Sequence, residues 1–372
     1  MSLFSAALLF ATSLAPFAQE SSAPASIGDP SAQIESRAAL RQRIDEVLQA
    51  ALQEDGAVGF SVGLAMGGEL IHEAGYGLAE LEHEVPVQPW SMFRIGSITK
   101  QYTGAAICRL ADQGKLYFDD PLKLYVPEFD TQGREITLRH LLTHTSGIFN
   151  YTNLGPKWED HMARDLSHGE LLALLKDVPL DFEPGRAYRY SNTGYFLLGM
   201  VIEKVSGQSY ADFVQKEFFE PLGLSHTRYG SNSDLIPMRA QGYAYRGQGR
   251  FANDDLLSMQ QPYAAGSLIA TAGDLVRWSL ALMGGQVLKP ESFEEMTLPF
   301  LLENGDESPY GFGLNLQPQA GRTCFSHGGG INGFNSIMYY FPESKLCLAV
   351  ISNSEGYSAD EVAQRLLKLL LP

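Results

Sequence analysis

The chain has 372 residues, of which 45% are hydrophobic and 11% aromatic, so it can build one large packed core or two smaller ones and is not a disordered chain. It carries 27 basic and 43 acidic residues, a net charge of −16. An acidic chain without clustered lysines or arginines binds nucleic acid and anionic membranes poorly, so we expect neither as a partner.

The first segment has the features of an export signal. Residues 1–20 contain an apolar run too short to span a membrane, and Ala23 and Ala25 form an A-x-A cleavage site. We therefore predict a signal peptide over residues 1–25 that is removed on export to the periplasm or beyond, with an uncleaved anchor as the alternative. Residues 26–372 are predicted to form a single domain without stable membrane insertion.

The predicted elements place strands at both ends of the chain and helices between them. A first helix covers 34–55 and ends at Gly56, and strands follow at 58–66 and 69–77 around a Gly67-Gly68 turn. One helix then begins at Ser97, and others cover 169–178, 192–207 with Gly207 as the cap, 211–223 and 271–285. A three-strand meander over 323–353 and a helix at 358–371 complete the prediction. We expect one antiparallel sheet whose two ends pair, with a helical subdomain at about 118–263 beside it.

The three cysteines do not form a disulfide framework. Cys324 and Cys347 fall on the first and third strands of the predicted meander. Alternate strands lie about 9.5 Å apart, which exceeds the reach of a disulfide. We interpret both, together with Cys108, as buried thiols with no metal role.

The helix that begins at Ser97 carries an S-x-x-K motif. Ser97 and Lys100 are one turn apart and lie on the same face of the helix. Burial beside the apolar run that follows would lower the pKa of the Lys100 ammonium and suit it as a general base, while the helix N-terminus would supply N–H groups for an oxyanion. The alternative is a capping serine and a solvated lysine, because S-x-x-K also occurs by chance.

Two further motifs contain candidate site residues. Tyr190 and Asn192 stand at the start of a predicted helix, where they could be a proton shuttle and a donor to a substrate carbonyl, or only a core aromatic and a helix cap. The stretch SHGGGINGF, Ser326–Phe334, places consecutive glycines in a strand. Glycines there mark the close approach of a backbone or a ligand, so we expect an edge strand that lines the substrate.

Two other motifs are weaker. Ser61 lies in a G-x-S-x-G sequence, but that motif needs a strand, a sharp turn and a helix, whereas Ser61 is in the middle of a predicted strand. His140 and His144 have the spacing of the zinc histidines in H-E-x-x-H, but Leu141 stands where the catalytic glutamate is needed. We therefore expect neither a nucleophile elbow nor a zinc site.

Taken in order, the three main motifs resemble those of the serine β-lactamase and penicillin-binding-protein superfamily. The resemblance runs from about Ile34 to the end of the chain and includes ITLRHLLTHTSGI, AAGSLIATAGDLVRW and YGFGL. It is strongest to class C β-lactamases, D-alanyl-D-alanine carboxypeptidases, D-aminopeptidases and related carboxylesterases. It implies an α/β fold of the β-lactamase/transpeptidase type, with an antiparallel sheet flanked by helices and a helical subdomain inserted.

The resemblance also implies roles for individual residues. Ser97 would be the nucleophile and Lys100 its base. The pair Tyr190 and Asn192 matches the family's Y-x-N motif. The last motif, K-T-G in the family, corresponds to His327, Gly328 and Gly329, and the N–H groups of Ser97 and Gly330 would form the oxyanion hole. No cofactor or metal is implied, and the partner is a small-molecule or peptide substrate.

One departure bears on the substrate. Class C β-lactamases carry a lysine where this chain has His327. The resemblance therefore implies an acyl-enzyme hydrolase of an ester or of a D-amino-acid peptide or amide bond, with a β-lactamase and a non-turnover binder of cell-wall peptide as alternatives. A histidine of ordinary pKa is mostly neutral at a pH of about 7.5, so we expect substrate carboxylates to bind better as the pH falls.

Overall fold

The computed structural model describes residues 30–371, so the predicted signal peptide lies outside the described residues. The described part of the chain divides after Gln42 into two units, and the site described below lies in the second, which begins at Arg43. Within the described range the α-helices are α1 (Pro30–Asp55), α2 (Thr99–Asp112), α3 (Leu138–Leu142), α4 (Pro156–Glu159), α5 (His168–Ala173), α6 (Asn192–Ser206), α7 (Tyr210–Val214), α8 (Tyr263–Gly266), α9 (Ala272–Met283), α10 (Pro290–Thr297) and α11 (Ala359–Leu370). The strands are β1 (Gly59–Met66), β2 (Glu69–Glu80), β3 (Val85–Pro86), β4 (Phe93–Arg94), β5 (Arg228–Tyr229), β6 (Tyr243–Tyr245), β7 (Phe251–Asn253), β8 (Leu268–Ala270), β9 (Phe325–Ile331), β10 (Phe334–Phe341), β11 (Leu346–Ser352) and β12 (Ser354–Glu355).

The main sheet joins the two ends of the chain. Across residues 30–371 it has six strands in the order β3-β2-β1-β11-β10-β9, and neighbouring strands are antiparallel. In the centre, β1 pairs with β11, so that Val62 lies opposite Val350. The prediction of an antiparallel sheet in which strands from the two ends of the chain pair is therefore confirmed. β9, which carries the glycine motif, is an edge strand of this sheet.

Helices cover the central strands closely. Every residue of β11 is buried, as expected for a strand covered on both faces. A side chain at Gly63 of β1 would lie 2.5 Å from the carbonyl oxygen of Ala272, where α9 begins, so only glycine permits this approach. The turn between β1 and β2 has positive φ at Gly67 and Gly68, 60° and 84°, as the predicted hairpin requires.

The helices between the strands match the predictions unequally. α6 ends at Gly207 with a left-handed φ of 70°, as predicted. α5 ends at Ala173, earlier than the predicted 178, and the chain beyond it turns through Asp177, whose φ is 62°. α7 gives way to a π-helical turn, Gln215–Phe219, which ends short of the predicted 223 because Pro221 has no N–H and cannot continue a helix.

α2 lies at the centre of this arrangement. It is buried from Thr99 to Cys108 and packs against α6, α8 and α10. The segment before it, a 3-10 turn at Gly96–Ile98, lies against β9. The first residues of α2 are therefore held between the sheet edge and the helices.

The predicted boundaries of a single domain at 26–372 and of a helical subdomain at about 118–263 stay predictions. None of the helices in the described part of the chain has the length and apolar character that a membrane crossing needs.

Candidate active site

Ser97 lies in the 3-10 turn that leads from β4 into α2. Gly96 precedes it with a positive φ of 51°, and a side chain there would come within 3.1 Å of the backbone nitrogen and oxygen of Gly330. Ser97 itself is half-buried. It borders a cavity of about 100 Å³ between this turn, the edge strand β9 and the start of α6. The serine is thus a half-buried residue at the cavity, directly before the buried part of α2.

Lys100 is fully buried and points at Ser97. Its Nζ lies 3.1 Å from Ser97 Oγ, 2.7 Å from Asn192 Oδ1 and 2.8 Å from the carbonyl oxygen of Ala265. None of these partners is a carboxylate. The amide and carbonyl oxygens can only accept hydrogen bonds, so a neutral amine would donate to both and direct its lone pair at the Ser97 hydroxyl.

Burial changes the protonation of the groups around Ser97. It lowers the pKa of the Lys100 ammonium well below its ordinary value, because burial removes the hydration that stabilises the charged form. Burial also raises the pKa of the Tyr190 hydroxyl, and its interaction with Ser97 offsets part of that rise. Both shifts favour a neutral amine beside a neutral phenol.

Tyr190 and Asn192 reach the same point from the start of α6. The Tyr190 ring centroid lies 4.7 Å from Lys100 Nζ, and its hydroxyl makes no hydrogen bond of ordinary geometry within residues 30–371. Asn192 is not a helix cap through its side chain. Its Oδ1 accepts from Lys100, and its Nδ2 donates to Thr152 Oγ1 at 3.4 Å.

The three glycines of β9 differ in what surrounds them. A side chain at Gly329 would overlap the carbonyl oxygen of Ile95, whereas one at Gly328 would make ordinary contacts at 3.7 Å. A side chain at Gly330 would meet no atom within 4 Å. Gly329 thus permits the close approach of a backbone, and Gly330 faces the open cavity.

Gly330 and Ser97 both line one cavity. Ile331 pairs with Phe334 across a two-residue turn. Residues that flank such a turn form a hydrogen-bonded pair, which directs the N–H of the preceding Gly330 to the open edge of the sheet. The Ser97 N–H lies in the first turn of a helix, where helical geometry provides no partner. An oxyanion in this cavity would meet both donors.

His327 is not available to a substrate carboxylate. It is 5% exposed, its Nδ1 donates to the Gly328 carbonyl oxygen at 2.6 Å, and its Nε2 accepts from the Tyr310 hydroxyl at 2.5 Å. Burial and the nearby Lys100 lower its pKa to about 3. The expectation that carboxylates bind better as the pH falls toward 6.5 is therefore wrong, because the ring stays neutral and both nitrogens have internal partners.

Sequence reasoning missed several residues of the site. Tyr310 binds His327, and the cavity is closed by Tyr151, Thr152 and Trp158. The stretches YGFGL and AAGSL were part of the resemblance but had no assigned role. Their glycines were the available signal: a side chain at Gly313 would overlap the carbonyl oxygen of Lys100.

The weaker motifs lie elsewhere or act differently. Ser61 is buried within β1, which continues directly into a hairpin. His140 Nδ1 accepts from the Thr137 N–H, and His144 Nδ1 accepts from the Ser191 N–H. Within residues 30–371 no group of three or more His, Cys, Asp or Glu could hold a metal ion. The three cysteines are buried and free.

Comparison with known proteins gives the same family over most of the chain. The Beta-lactamase family model matches residues 44–371. Penicillin-binding protein 4* of Bacillus subtilis (strain 168) is 33% identical over 321 residues, which cover 82% of this chain and 69% of that protein.

Solved structures agree. The D-amino acid amidase from Ochrobactrum anthropi SV3, complexed with L-phenylalanine amide, has a TM-score of 0.77 at 27% identity and matches 89% of this chain and 98% of its own. The octameric penicillin-binding protein homologue from Pyrococcus abyssi has a TM-score of 0.77 at 29% identity, with 89% and 77% covered. The predicted fold class is thereby confirmed. The chain belongs to the serine β-lactamase and penicillin-binding-protein superfamily and is a serine hydrolase.

Proposed function

We propose that the protein forms an acyl-enzyme on Ser97 and hydrolyses an ester bond or a D-amino-acid peptide or amide bond. The observation that carries this proposal is the buried Lys100, whose Nζ lies 3.1 Å from Ser97 Oγ while its other two partners are obligate acceptors. A lysine in such a place serves no solvent-facing purpose and is suited to remove the serine proton.

The chemistry follows from these positions. Lys100 takes the proton of the Ser97 hydroxyl as Oγ attacks the substrate carbonyl carbon, and the N–H groups of Ser97 and Gly330 stabilise the oxyanion. The leaving group departs with a proton passed from Lys100 through Tyr190, and an ester to Ser97 remains. Water then attacks that ester and releases the acid. The two pKa shifts favour Lys100, rather than Tyr190, as the base.

The cavity supports a small uncharged acyl group. It measures about 100 Å³, and its apolar walls include Tyr151, Trp158, Leu257 and Ile331. No charged side chain lines it within the described residues. Asn192 Nδ2 and the backbone of β9 would hold the substrate amide or ester, with Gly328 and Gly329 shaping that edge. His327 would act on the site through Tyr310.

The relatives leave the bond type open. One solved neighbour is a D-stereospecific amidohydrolase from Streptomyces, with a TM-score of 0.74 at 28% identity. An amide bond is therefore as reasonable a target as an ester. A β-lactamase is disfavoured by the uncharged cavity, and a non-turnover binder would not need the complete set of Ser97, Lys100 and Tyr190. Export with a cleaved signal peptide is part of the proposal.

Two measurements test this proposal: turnover of a panel of substrates, and covalent labelling of the nucleophilic serine. We expect purified protein to turn over p-nitrophenyl esters or D-amino-acid amides and to form a fluorophosphonate adduct on Ser97. Ser97→Ala should lose both turnover and adduct, whereas Ser61→Ala, a matched change of a buried serine on β1, should keep them. An adduct of unchanged mass in Ser97→Ala would show that another residue is the nucleophile.

A further inference from the structure

His144 lies directly behind the candidate proton shuttle. It is 1% exposed, and its backbone is left-handed, with φ of 59°. Residues other than glycine are uncommon in that conformation, although histidine adopts it more often than most, and the contacts of His144 help to hold it there. Several of those contacts are made with Tyr190 or with its two neighbours in the chain.

Both neighbours of Tyr190 in the chain donate hydrogen bonds to His144. The Arg189 N–H donates to the His144 carbonyl oxygen at 2.9 Å. The Ser191 N–H donates to His144 Nδ1 at 3.2 Å. His144 therefore accepts hydrogen bonds from the backbone N–H groups on both sides of Tyr190, one with its carbonyl oxygen and one with its ring nitrogen.

The ring of His144 also supports the tyrosine ring. Their centroids lie 4.2 Å apart at an interplanar angle of 39°, and the Tyr310 and Tyr195 centroids lie 4.6 Å and 5.0 Å from the same histidine. The Tyr190 hydroxyl makes no hydrogen bond of ordinary geometry in the described structure. Apart from its interaction with Ser97, its position is therefore fixed by its backbone and its ring face.

The bond to Ser191 requires a neutral histidine with one tautomer. Because Nδ1 accepts from an N–H, the ring proton must be on Nε2, which is buried without a hydrogen-bond partner in the described residues. Burial and the nearby Lys100 and His327 hold the pKa of His144 well below its ordinary value. The accepting form is thus the one present at working pH.

We infer that His144 is a positioning residue for Tyr190: it fixes the backbone on both sides of the tyrosine and packs against its ring, and so sets where the hydroxyl lies relative to Ser97. This inference rests on the proposed function, in which Tyr190 carries a proton. It gives His144, which the sequence offered only as part of a weak zinc-like motif, a specific role at the site.

Two variants, His144→Asn and His144→Leu, have side chains of similar branched shape and test whether the hydrogen-bond acceptor or the ring packing of His144 matters. Asparagine tolerates a left-handed backbone and places Oδ1 where Nδ1 stands, whereas leucine has no acceptor. We expect His144→Leu to lower kcat about 100-fold with little change in KM, since a small misplacement of a reacting group has that cost. His144→Asn should keep most of kcat although it loses the aromatic contact.

His140 provides the matched control. Its Nδ1 also accepts a backbone N–H at 3.2 Å, from Thr137, but at the start of α3 and away from the cavity. His140→Leu should lower the melting temperature and leave kcat unchanged. Tyr190→Phe should lower kcat by about 10² to 10⁴, the range of a lost acid–base group. Adding His144→Leu to Tyr190→Phe should cost little more, because both changes act through one hydroxyl.

Hydrogen exchange tests the inference without a substrate. The Ser191 amide should exchange faster in His144→Leu and stay protected in His144→Asn. Equal protection in both variants, full additivity in the double variant, or a kcat in His144→Asn as low as in His144→Leu would overturn the inference. If the wild type neither turns over a substrate nor labels at Ser97, the proposed function fails, and Ser191 exchange then decides whether His144 holds this segment.

Discussion

Three basic side chains share one buried region without a carboxylate partner. Lys100, His144 and His327 are each at most 5% exposed, and their hydrogen-bond partners are hydroxyls, amides and backbone groups. A charge on Lys100 lowers the pKa of both histidines. A proton on any one of them therefore disfavours a proton on the others, and the site is most stable with the histidines neutral.

This arrangement predicts that stability falls in mild acid. An unfolded histidine takes up a proton near pH 6.5, whereas folded His327 does so near pH 3, so the unfolded chain binds more protons between these values. The stabilisation is complete above about pH 6.5 and is lost as the pH falls. The free energy of unfolding in urea should decrease by about 1.4 kcal/mol per pH unit for this histidine, and His327→Gln should remove that part of the slope.

An exposed histidine provides the control. His83 lies in solvent, and its hydrogen bond to Glu80 raises rather than lowers its pKa, so His83→Gln should not reduce the loss of stability in acid as His327→Gln does. A His327→Gln protein with the wild-type slope between about pH 5 and 7 would show that His327 is not held neutral by the fold.

At the scale of elements, the site depends on how closely β9 approaches the turn before α2. A methyl group added at Gly329 would overlap the carbonyl oxygen of Ile95 and the Ser336 hydroxyl, whereas Gly328 has room for one. We predict that Gly329→Ala forces the strand away from Ser97, lowers stability by about 1 to 3 kcal/mol and abolishes most turnover. Gly328→Ala should retain both stability and activity. Melting temperatures and kcat/KM measure the difference, and two equal variants would contradict it.

The sequence predicted those elements whose signals are local. The spacing of Ser97 and Lys100 placed both on one helical face, and Gly67-Gly68 indicated the hairpin between β1 and β2. The sequence could not show that His144 accepts a hydrogen bond from Ser191, 47 positions away, or that Tyr310 donates one to Nε2 of His327. Those contacts exist only after the helices pack on the sheet, and they explain why the ordinary pKa assumed for His327 was misleading.

At the scale of the whole molecule, the chain as a whole is strongly acidic, whereas the cavity at the candidate site is lined by uncharged residues. The chain carries a net charge of −16, yet no charged side chain lines the cavity at Ser97 within the described residues. A second cavity, which shares Asn332 with the first, contains Arg94 and Arg239 together with Asp254 and Asp255, so its charges balance. An anionic substrate would thus lose hydration and meet a repulsive field without gaining a dedicated cation.

We therefore predict that an uncharged acyl group is preferred over an isosteric anionic one. The matched pair is p-nitrophenyl butyrate and mono-p-nitrophenyl succinate, which differ in a terminal carboxylate. A carboxylate that loses its hydration without a charge-assisted hydrogen bond in return costs about 1.5–3 kcal/mol, so kcat/KM should be roughly 10- to 150-fold higher for the butyrate. Raising ionic strength from about 0.01 M to 0.15 M shortens the screening length from about 30 Å to 8 Å and should narrow this gap by improving only the succinate. A preference for the succinate that disappears in Arg94→Gln would contradict the prediction and show that Arg94 binds the carboxylate.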